Sequence, residues 1–466
     1  MGIRSALVEN KALNIIFFTL IVFFVSVQLG LNLKQTIAVT IFSMEILSIV
    51  VFWKFRLAFA LLGLVGLLLF NVINIDTFVK FANLDVILFL VGMMIIIGFL
   101  EEKKFFEYLI NTVFTKTPKG MMIPVLMLMS AFFAALADEV TSILFMSAIA
   151  FHLSGRYKVR AAPLIMMVVF ATNIGSSATV IGNPVGVLVA LKGGLTFLDF
   201  IRWATPISII SLLVIIPICM KMFSKYTSKL RINMEKESTD ASFMHTEIDR
   251  KEIMSAGMLF FVIISLLVIH SPIEKMLGLG KNTMLMTISI TGAAIVILLK
   301  KENAREMVER HVDWWTLLFF MMLFASVGTL EFVKVSDLAA RGLIDVANGS
   351  YINMFGLFSL VSGVMSGFMD NVLSVATFIP VIHELTSLGV YTYPFWWAML
   401  FAATFFGNLT IVGSTANIVA IGMMERRKKG EIKFFEWMKY GIVVSVITFI
   451  IAIFLIYIQI PLMPKA

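Results

Sequence analysis

Two polar interruptions of apolar sequence, matched in kind and in order, constrain this chain more than any other feature. Asp138-Glu139 lies among Ala, Leu, Phe and Met, and Asp370-Asn371 repeats the step in a second apolar stretch. Each is followed, at nearly the same distance along the chain, by a glycine-bearing polar run. The first is Thr172-Asn173-Ile174-Gly175-Ser176-Ser177-Ala178-Thr179-Val180-Ile181-Gly182-Asn183-Pro184, and the second is Asn408-Leu409-Thr410-Ile411-Val412-Gly413-Ser414-Thr415-Ala416-Asn417. Hydrocarbon offers no water to backbone amides, so irregular backbone at membrane depth survives only inside protein or beside a watery cavity. A carboxylate there costs about 2.5–3.5 kcal/mol on insertion scales. A chain that places both features twice is using them to handle a solute.

The apolar setting is a membrane one. Of 466 residues 60% are hydrophobic and 14% charged, and window after window offers the roughly 20 apolar residues needed to cross about 30 Å of hydrocarbon. The expected fold is an all-α polytopic membrane protein, an inverted repeat of five spans each plus one extra N-terminal span. Spans are expected at 14–31, 36–53, 57–74, 84–100, 203–223, 256–271, 283–300, 313–330 and 436–459. Re-entrant hairpins are expected at 121–153 and 351–386, and broken helices at 161–191 and 394–424. With a cytoplasmic N-terminus, this topology leaves roughly three-quarters of the 37 lysines and arginines on the cytoplasmic side, a strong positive-inside bias. The net charge of +8 is therefore an orientation signal and implies no nucleic acid partner. The first span follows Arg4 and Lys11 and shows no small-residue cleavage site, so it is expected to remain in a multi-pass plasma-membrane protein.

Other chemistry is thinly supplied. One cysteine, Cys219, excludes a disulfide framework and a thiolate cage. The five histidines show no metal-ligand spacing, and the 31 methionines read as apolar filler. No phosphate-binding Gly-Lys-Ser/Thr loop occurs, which argues against a primary pump; no cofactor is expected beyond a coupling ion, H⁺ or Na⁺. A separate ATPase subunit stays open as a partner without support in the sequence.

The chain divides into an N-terminal span at 1–35, a first repeat at 36–223, a cytoplasmic linker at 224–255 and a second repeat at 256–466. The linker is the most polar stretch and includes Lys225, Glu235, Glu237, Asp240, Glu247 and Asp249. Each repeat runs three spans, an amphipathic segment (101–118; 331–348), a hairpin, a broken span and a closing span. The amphipathic segments begin alike, Gly98-Phe99-Leu100-Glu101 against Gly328-Thr329-Leu330-Glu331. Five crossings per repeat invert the second against the first, the arrangement of secondary transporters whose site lies near the midplane.

The candidate substrate- and ion-binding residues follow. At the hairpin tips they are Asp138, Glu139, Thr141, Asp370 and Asn371, with Ser142 and Ser374 beside them. In the breaks they are Asn173, Gly175, Ser176, Ser177, Thr179, Asn183, Pro184, Asn408, Thr410, Gly413, Ser414, Thr415 and Asn417. Hydroxyls and amides offer neutral donors and acceptors, and half-helix N-termini near Pro184 and Ser414 add partial positive charge. Carboxylates at the tips suit Na⁺, near Asp138, Asp370, Asn173 and Asn408, or protons. Against this stands the plainer reading that each tip carboxylate merely caps the helix after it. Glu45, alone within the second span, would pair across a subunit interface or snorkel, with a direct role in transport as the lesser alternative.

These motifs resemble the ion transporter superfamily of arsenite permeases, citrate and dicarboxylate carriers, sodium/proton antiporters and the melanocyte pink-eyed-dilution protein. The resemblance spans roughly 36–460 and is strongest at Phe368-Met369-Asp370-Asn371-Val372, Asn173-Ile174-Gly175, Ile181-Gly182-Asn183-Pro184 and Gly413-Ser414-Thr415-Ala416-Asn417. It implies a homodimer with a fixed scaffold and a moving transport domain, hence an elevator-like mechanism. Two departures stand out. Asp138-Glu139-Val140 and Asp370-Asn371-Val372 occupy tips that carry Ser-Asn-Thr in the dicarboxylate branch, and Gly186 falls where relatives often carry asparagine. Fixed negative charge at the tips disfavours a dicarboxylate. The expected function is ion-coupled (H⁺ or Na⁺) transport of arsenite or a similar small inorganic anion or metalloid. Sodium/proton antiport is the alternative, with a citrate carrier and an intramembrane aspartyl enzyme built on Asp138 and Asp370 further behind.

Overall fold

The structure, a computed structural model, describes residues 2–236, 250–427 and 430–465. Every regular element among the described residues is helical. Ten of these helices are long and apolar enough to cross a membrane, and shorter apolar helices supply both halves of the first broken span and the first half of the second. The protein is an integral membrane protein of all-α class. Both hairpins form where expected, as Met122–Leu136 with Glu139–Arg156 and as Tyr351–Phe368 with Asn371–Ser387. Both breaks also form, between Ala162–Ser176 and Pro184–Gly193, and between Tyr393–Phe406 and Thr415–Arg426.

One expected span differs. The helix of 57–74 is Arg56–Leu69, only 14 residues, or about 21 Å at 1.5 Å per residue. Asn71 adopts a left-handed conformation (φ 52°), and Asn74 then caps a new short helix, Ile75–Phe81, by accepting from the Thr77 amide at 2.8 Å. Asparagine tolerates left-handed backbone and offers a capping oxygen, so two of them within four residues end one helix and start another. The second half has a counterpart in the short helix Ala304–His311.

The residues group into two compact units. One comprises Met1–Ile87, Asp313–Leu357 and Ala376–Thr392; the other comprises Leu88–Val312, Phe358–Val375 and Tyr393–Ala466. In the first unit, Asn32 and Gln35 form a reciprocal cap on Leu33–Val51, and the Gln35 amide donates onward to the Val333 carbonyl at 3.0 Å. Arg56 donates to Thr316 at 2.9 Å and stacks on Trp53. Glu45 is 3% exposed, with the Ser326 hydroxyl beside its carboxylate, so it does not snorkel; its carboxylate lies against Gly63, where a side chain would collide with it.

The second unit holds both tips and both breaks. Its first hairpin lies so close to the helix before the first break that a Cβ at Gly175 would enter the backbone of Ala131. Of the linker, Ser224–Lys236 is helical and Arg250 already begins the next span, Arg250–Val268. Glu237, Asp240, Glu247 and Asp249 lie outside the described residues.

Glycine at 175 is therefore a packing requirement, whereas Gly342 in Val335–Val346 faces open space. Gly175→Val is expected to lower stability by about 1–3 kcal/mol, the usual cost of overpacking. Gly342→Ala is expected to raise it by about 0.5–1 kcal/mol. Thermal unfolding in detergent, read by intrinsic fluorescence, separates the two, and equal shifts would contradict the packing assignment.

Candidate functional site

The tips are built by their own aspartates. Asp138 holds φ 125° and ψ 164°, a region close to glycine-only that costs of order 1–3 kcal/mol for other residues. Its Oδ1 accepts from the amides of Val140 at 2.7 Å and Thr141 at 2.8 Å, and its Oδ2 accepts from the Thr141 hydroxyl at 2.9 Å. Asp370 does the same in the second hairpin through the Val372 amide at 3.0 Å, and its other oxygen accepts from Thr415 at 2.7 Å. Both aspartates thus cap the arm that follows them. The next residue differs. Glu139 is 1% exposed; Asn371 and Ser176 hydrogen-bond its carboxylate and Asp370 and Asp138 lie near it, while its Oε2 is left without a close partner. The side-chain oxygen of Asn371, its counterpart, is likewise buried without a partner.

Each hairpin is closed by the same bond. The Ser142 hydroxyl donates to the Ser130 carbonyl at 2.8 Å, and the Ser374 hydroxyl donates to the Ser362 carbonyl at 2.9 Å. Each break is tied to its hairpin by a threonine at a matching position. Thr410 donates to the Gly367 carbonyl at 2.6 Å, and Thr179 donates to the Ala135 carbonyl. The two glycines that turn the chain back, Gly182 and Gly413, face the carbonyls of Ser176 and Gly407 with no room for a side chain. The second half-helices start alike: Asn183 caps through the Gly186 amide at 2.7 Å with Pro184 next, and Ser414 caps through the Ala416 amide at 3.2 Å.

Between the breaks lies a buried clasp of amides. Asn173 donates to Asn408 at 2.8 Å and to Asn417 at 2.9 Å, and its oxygen accepts from the Ser414 hydroxyl at 3.0 Å. Asn417 in turn donates to the carbonyls of Gly407 at 2.7 Å and Thr410 at 2.8 Å. The Asn408 amide nitrogen has no partner. Gly186 occupies the place in the first break that Asn417 holds in the second. A Cβ at 186 would sit 2.9 Å from the Thr179 carbonyl and 2.8 Å from that of Val180, so no asparagine fits there. Ser176 accepts from Asn183 at 2.7 Å, while the Ser177 hydroxyl is tied to Ser208 at 2.8 Å and donates to the Ile174 carbonyl at 2.8 Å. A metal held by three or more His, Cys, Asp or Glu side chains has no candidate group among the described residues.

Comparison with known proteins places this geometry. The chain matches the citrate transporter family over residues 41–342 and 327–465. It belongs to that family. An uncharacterized transporter of Mycobacterium tuberculosis is 32% identical over 79% of this chain and 84% of its own length. An uncharacterized transporter of Synechocystis is 26% identical over 78% and 83%. The human P protein is 25% identical over 79% of this chain and 53% of its own. Among solved structures, the YdaH transporter of Alcanivorax borkumensis, reported with an unusual topology, aligns at a TM-score of 0.58 with 16% identity, covering 83% and 87% of the two chains. That likeness is one of fold. This chain is therefore a membrane transporter of the citrate transporter family, and the resemblance read from its motifs holds.

Within this transporter, several residues at the breaks escaped sequence reasoning. Trp437 donates from its indole to the Asn408 carbonyl at 2.9 Å, and Thr205 donates to the Ala178 carbonyl at 2.8 Å. Both stand at the start of a closing helix; for Trp437 the available signal was the echo of Phe197-Leu198-Asp199-Phe200 in Phe434-Phe435-Glu436-Trp437. Replacing Asn173 by Ala removes three buried hydrogen bonds at once. A loss of about 2–4 kcal/mol is expected at roughly 1 kcal/mol per bond, readable as a lower thermal midpoint than Ser177→Ala shows.

Proposed function

We propose that this protein is a secondary active transporter coupled to H⁺ or Na⁺, whose coupling cation binds at the hairpin tips and whose solute binds between the two breaks. The observation that carries this reading is a set of three buried polar atoms without partners, Glu139 Oε2, Asn371 Oδ1 and Asn408 Nδ2. Buried polar groups are nearly always satisfied, and three unsatisfied ones at matched tips and breaks are what a bound ion or water would complete. Glu139 is the tip carboxylate left without a capping role, because Asp138 and Asp370 are engaged in capping. The same engagement weighs against an aspartyl catalytic dyad.

The solute that fits best is small and neutral or charge-compensated. Amides and hydroxyls of Asn173, Asn408, Ser176 and Ser414 suit the hydroxide form of arsenite or a similar metalloid. Citrate is the second reading, favoured by the family match; beside buried carboxylates, it would have to travel with bound cations. Sodium/proton antiport needs only the tip carboxylates. The accompanying picture is a homodimer in the plasma membrane with a cytoplasmic N-terminus. In it, repeats at 36–223 and 256–466, joined by a linker at 224–255, work by an elevator-like motion.

Purified protein in liposomes with an internal pH dye, challenged in turn with Na⁺, Li⁺, arsenite and citrate, identifies solute and coupling ion. Glu139→Gln is expected to cut coupled flux at least tenfold, about 1.4 kcal/mol, while keeping the wild-type melting temperature. Asp370→Asn is expected to lose both flux and some stability, since it also weakens a cap. Flux of every solute unaltered in Glu139→Gln would refute the coupling role.

A further inference from the structure

The second half-helix of the first break is held at its far end by a side chain from a distant part of the chain. Pro184–Gly193 ends at Gly194, a left-handed cap at φ 59°, and the Leu195 amide turns back to the Ala190 carbonyl at 2.8 Å. The Asn282 amide nitrogen donates to the same Ala190 carbonyl at 2.9 Å and to that of Leu195 at 3.2 Å. Asn282 stands at the cap position of Thr283–Lys300, yet its side chain makes no bond to that helix. Glu274 does so in its place, accepting from the Met284 amide at 2.8 Å. Asn282 is thus released from capping, the usual task of an asparagine there, and both ends of its amide serve other elements. Its oxygen faces His270 Nε2 at 3.3 Å, and His270 Nδ1 lies 2.8 Å from the Leu267 carbonyl. His270 is 0% exposed and Asn282 is 5% exposed.

These contacts fix the proton count of the ring. A carbonyl only accepts, so those of Ala190 and Leu195 orient Asn282 with its nitrogen toward them and its oxygen toward His270. Both ring nitrogens of His270 therefore face acceptors. A neutral imidazole donates from one nitrogen only, and the lone pair of the other would meet an oxygen; the imidazolium donates from both. Leu267 lies in the last turn of Arg250–Val268, and the C-terminal end of a helix carries partial negative charge, a setting that suits a cationic side chain. Charged residues on the elements that meet here are Glu274 and Lys275 on the short helix of His270, Lys281 beside Gly194, Lys192 at the end of Pro184–Gly193 and Asp199 in Phe197–Asp199. The two carboxylates among them are engaged elsewhere, Glu274 with Met284 and Asp199 with Thr196. The partners of the ring are two neutral oxygens.

We infer that His270, as an imidazolium, is a positioning residue for the first break: its proton orients Asn282, and Asn282 holds the end of the half-helix whose start, Asn183-Pro184, lines the break. That half-helix has ten residues, about 15 Å of stiff rod, so a hold at one end sets the other. Histidine changes charge near neutral pH; when the proton leaves, one bond to the ring is lost and the Asn282 amide is free to turn. The consequence for transport rests on the solute site proposed above, whereas the protonation does not.

Nitrogen-15 NMR of the histidine-labelled full chain in nanodiscs tests the protonation directly. A ring signal with both nitrogens protonated is expected at pH 7 and is expected to vanish in His270→Phe; a neutral ring at His270 overturns the inference. Citrate and arsenite uptake into liposomes, measured at pH 6 and pH 8.5, tests the positioning. His270→Phe is expected to raise KM at least threefold over wild type at pH 6, with the ratio shrinking toward one at pH 8.5. With Asn282→Ala already present, the same substitution is expected to change KM less than twofold at either pH. A ratio that stays constant with pH, or an undiminished effect in the double variant, overturns the positioning role. Where neither solute moves, the solute reading has failed and the thermal midpoint replaces KM. The gap between wild type and His270→Phe is then expected to narrow from pH 6 to pH 8.5, and a constant gap overturns the inference. His270→Gln, which keeps one donor, serves in the same comparisons if His270→Phe does not fold.

Discussion

The hydrogen bond from a break threonine to the last carbonyls of a hairpin arm is the interaction on which the rest depends. Thr179 reaches Ala135 and Thr410 reaches Gly367. Each bond satisfies a carbonyl that the end of a helix leaves open, and each holds an irregular stretch of backbone against an acidic tip. In water, solvent would do this work. At membrane depth the partner has to come from the chain itself, so the tie is a condition for having a break at all. The hairpin bonds Ser142–Ser130 and Ser374–Ser362 extend the same logic one layer outward.

The two halves satisfy these demands unequally. Asn417 closes the second break with its amide, donating to Gly407 and Thr410 while accepting from Asn173. The first break has Gly186 instead, pressed against the carbonyls of Thr179 and Val180. The tips show the complementary asymmetry, with Glu139 in the first and Asn371 in the second. The first half thus carries the extra carboxylate and the closer backbone, and the second half carries the amide clasp. A duplicated scaffold has been specialised by side chains at two matched positions.

Much of this was legible beforehand. Hairpins and breaks fall where the acidic steps and the glycine-proline runs put them, because apolar length and helix breakers act locally. The left-handed residues Lys104 and Lys334 (φ 57° and 62°), which start the two amphipathic helices, bear out the matching of Glu101 with Glu331. The short helix Ile75–Phe81 was missed because apolar length outweighed two asparagines in reading 57–74. The roles of the aspartates were not separable in sequence: Asp138 and Glu139 are adjacent, yet one spends its oxygens on local amides and the other points into the protein.

What the sequence determined by itself was class, span placement and the pairing of tips with breaks, all of which rest on local hydrophobicity and backbone chemistry. Which of the polar groups would be satisfied was decided only in three dimensions. Asn173 meets Asn408 and Asn417 across more than half the chain, and the indoles of Trp203 and Trp397 converge on the Tyr393 hydroxyl. Hydrogen bonding is short-ranged and directional. Its outcome between residues far apart in sequence follows from how the helices pack, and composition and spacing do not encode that directly.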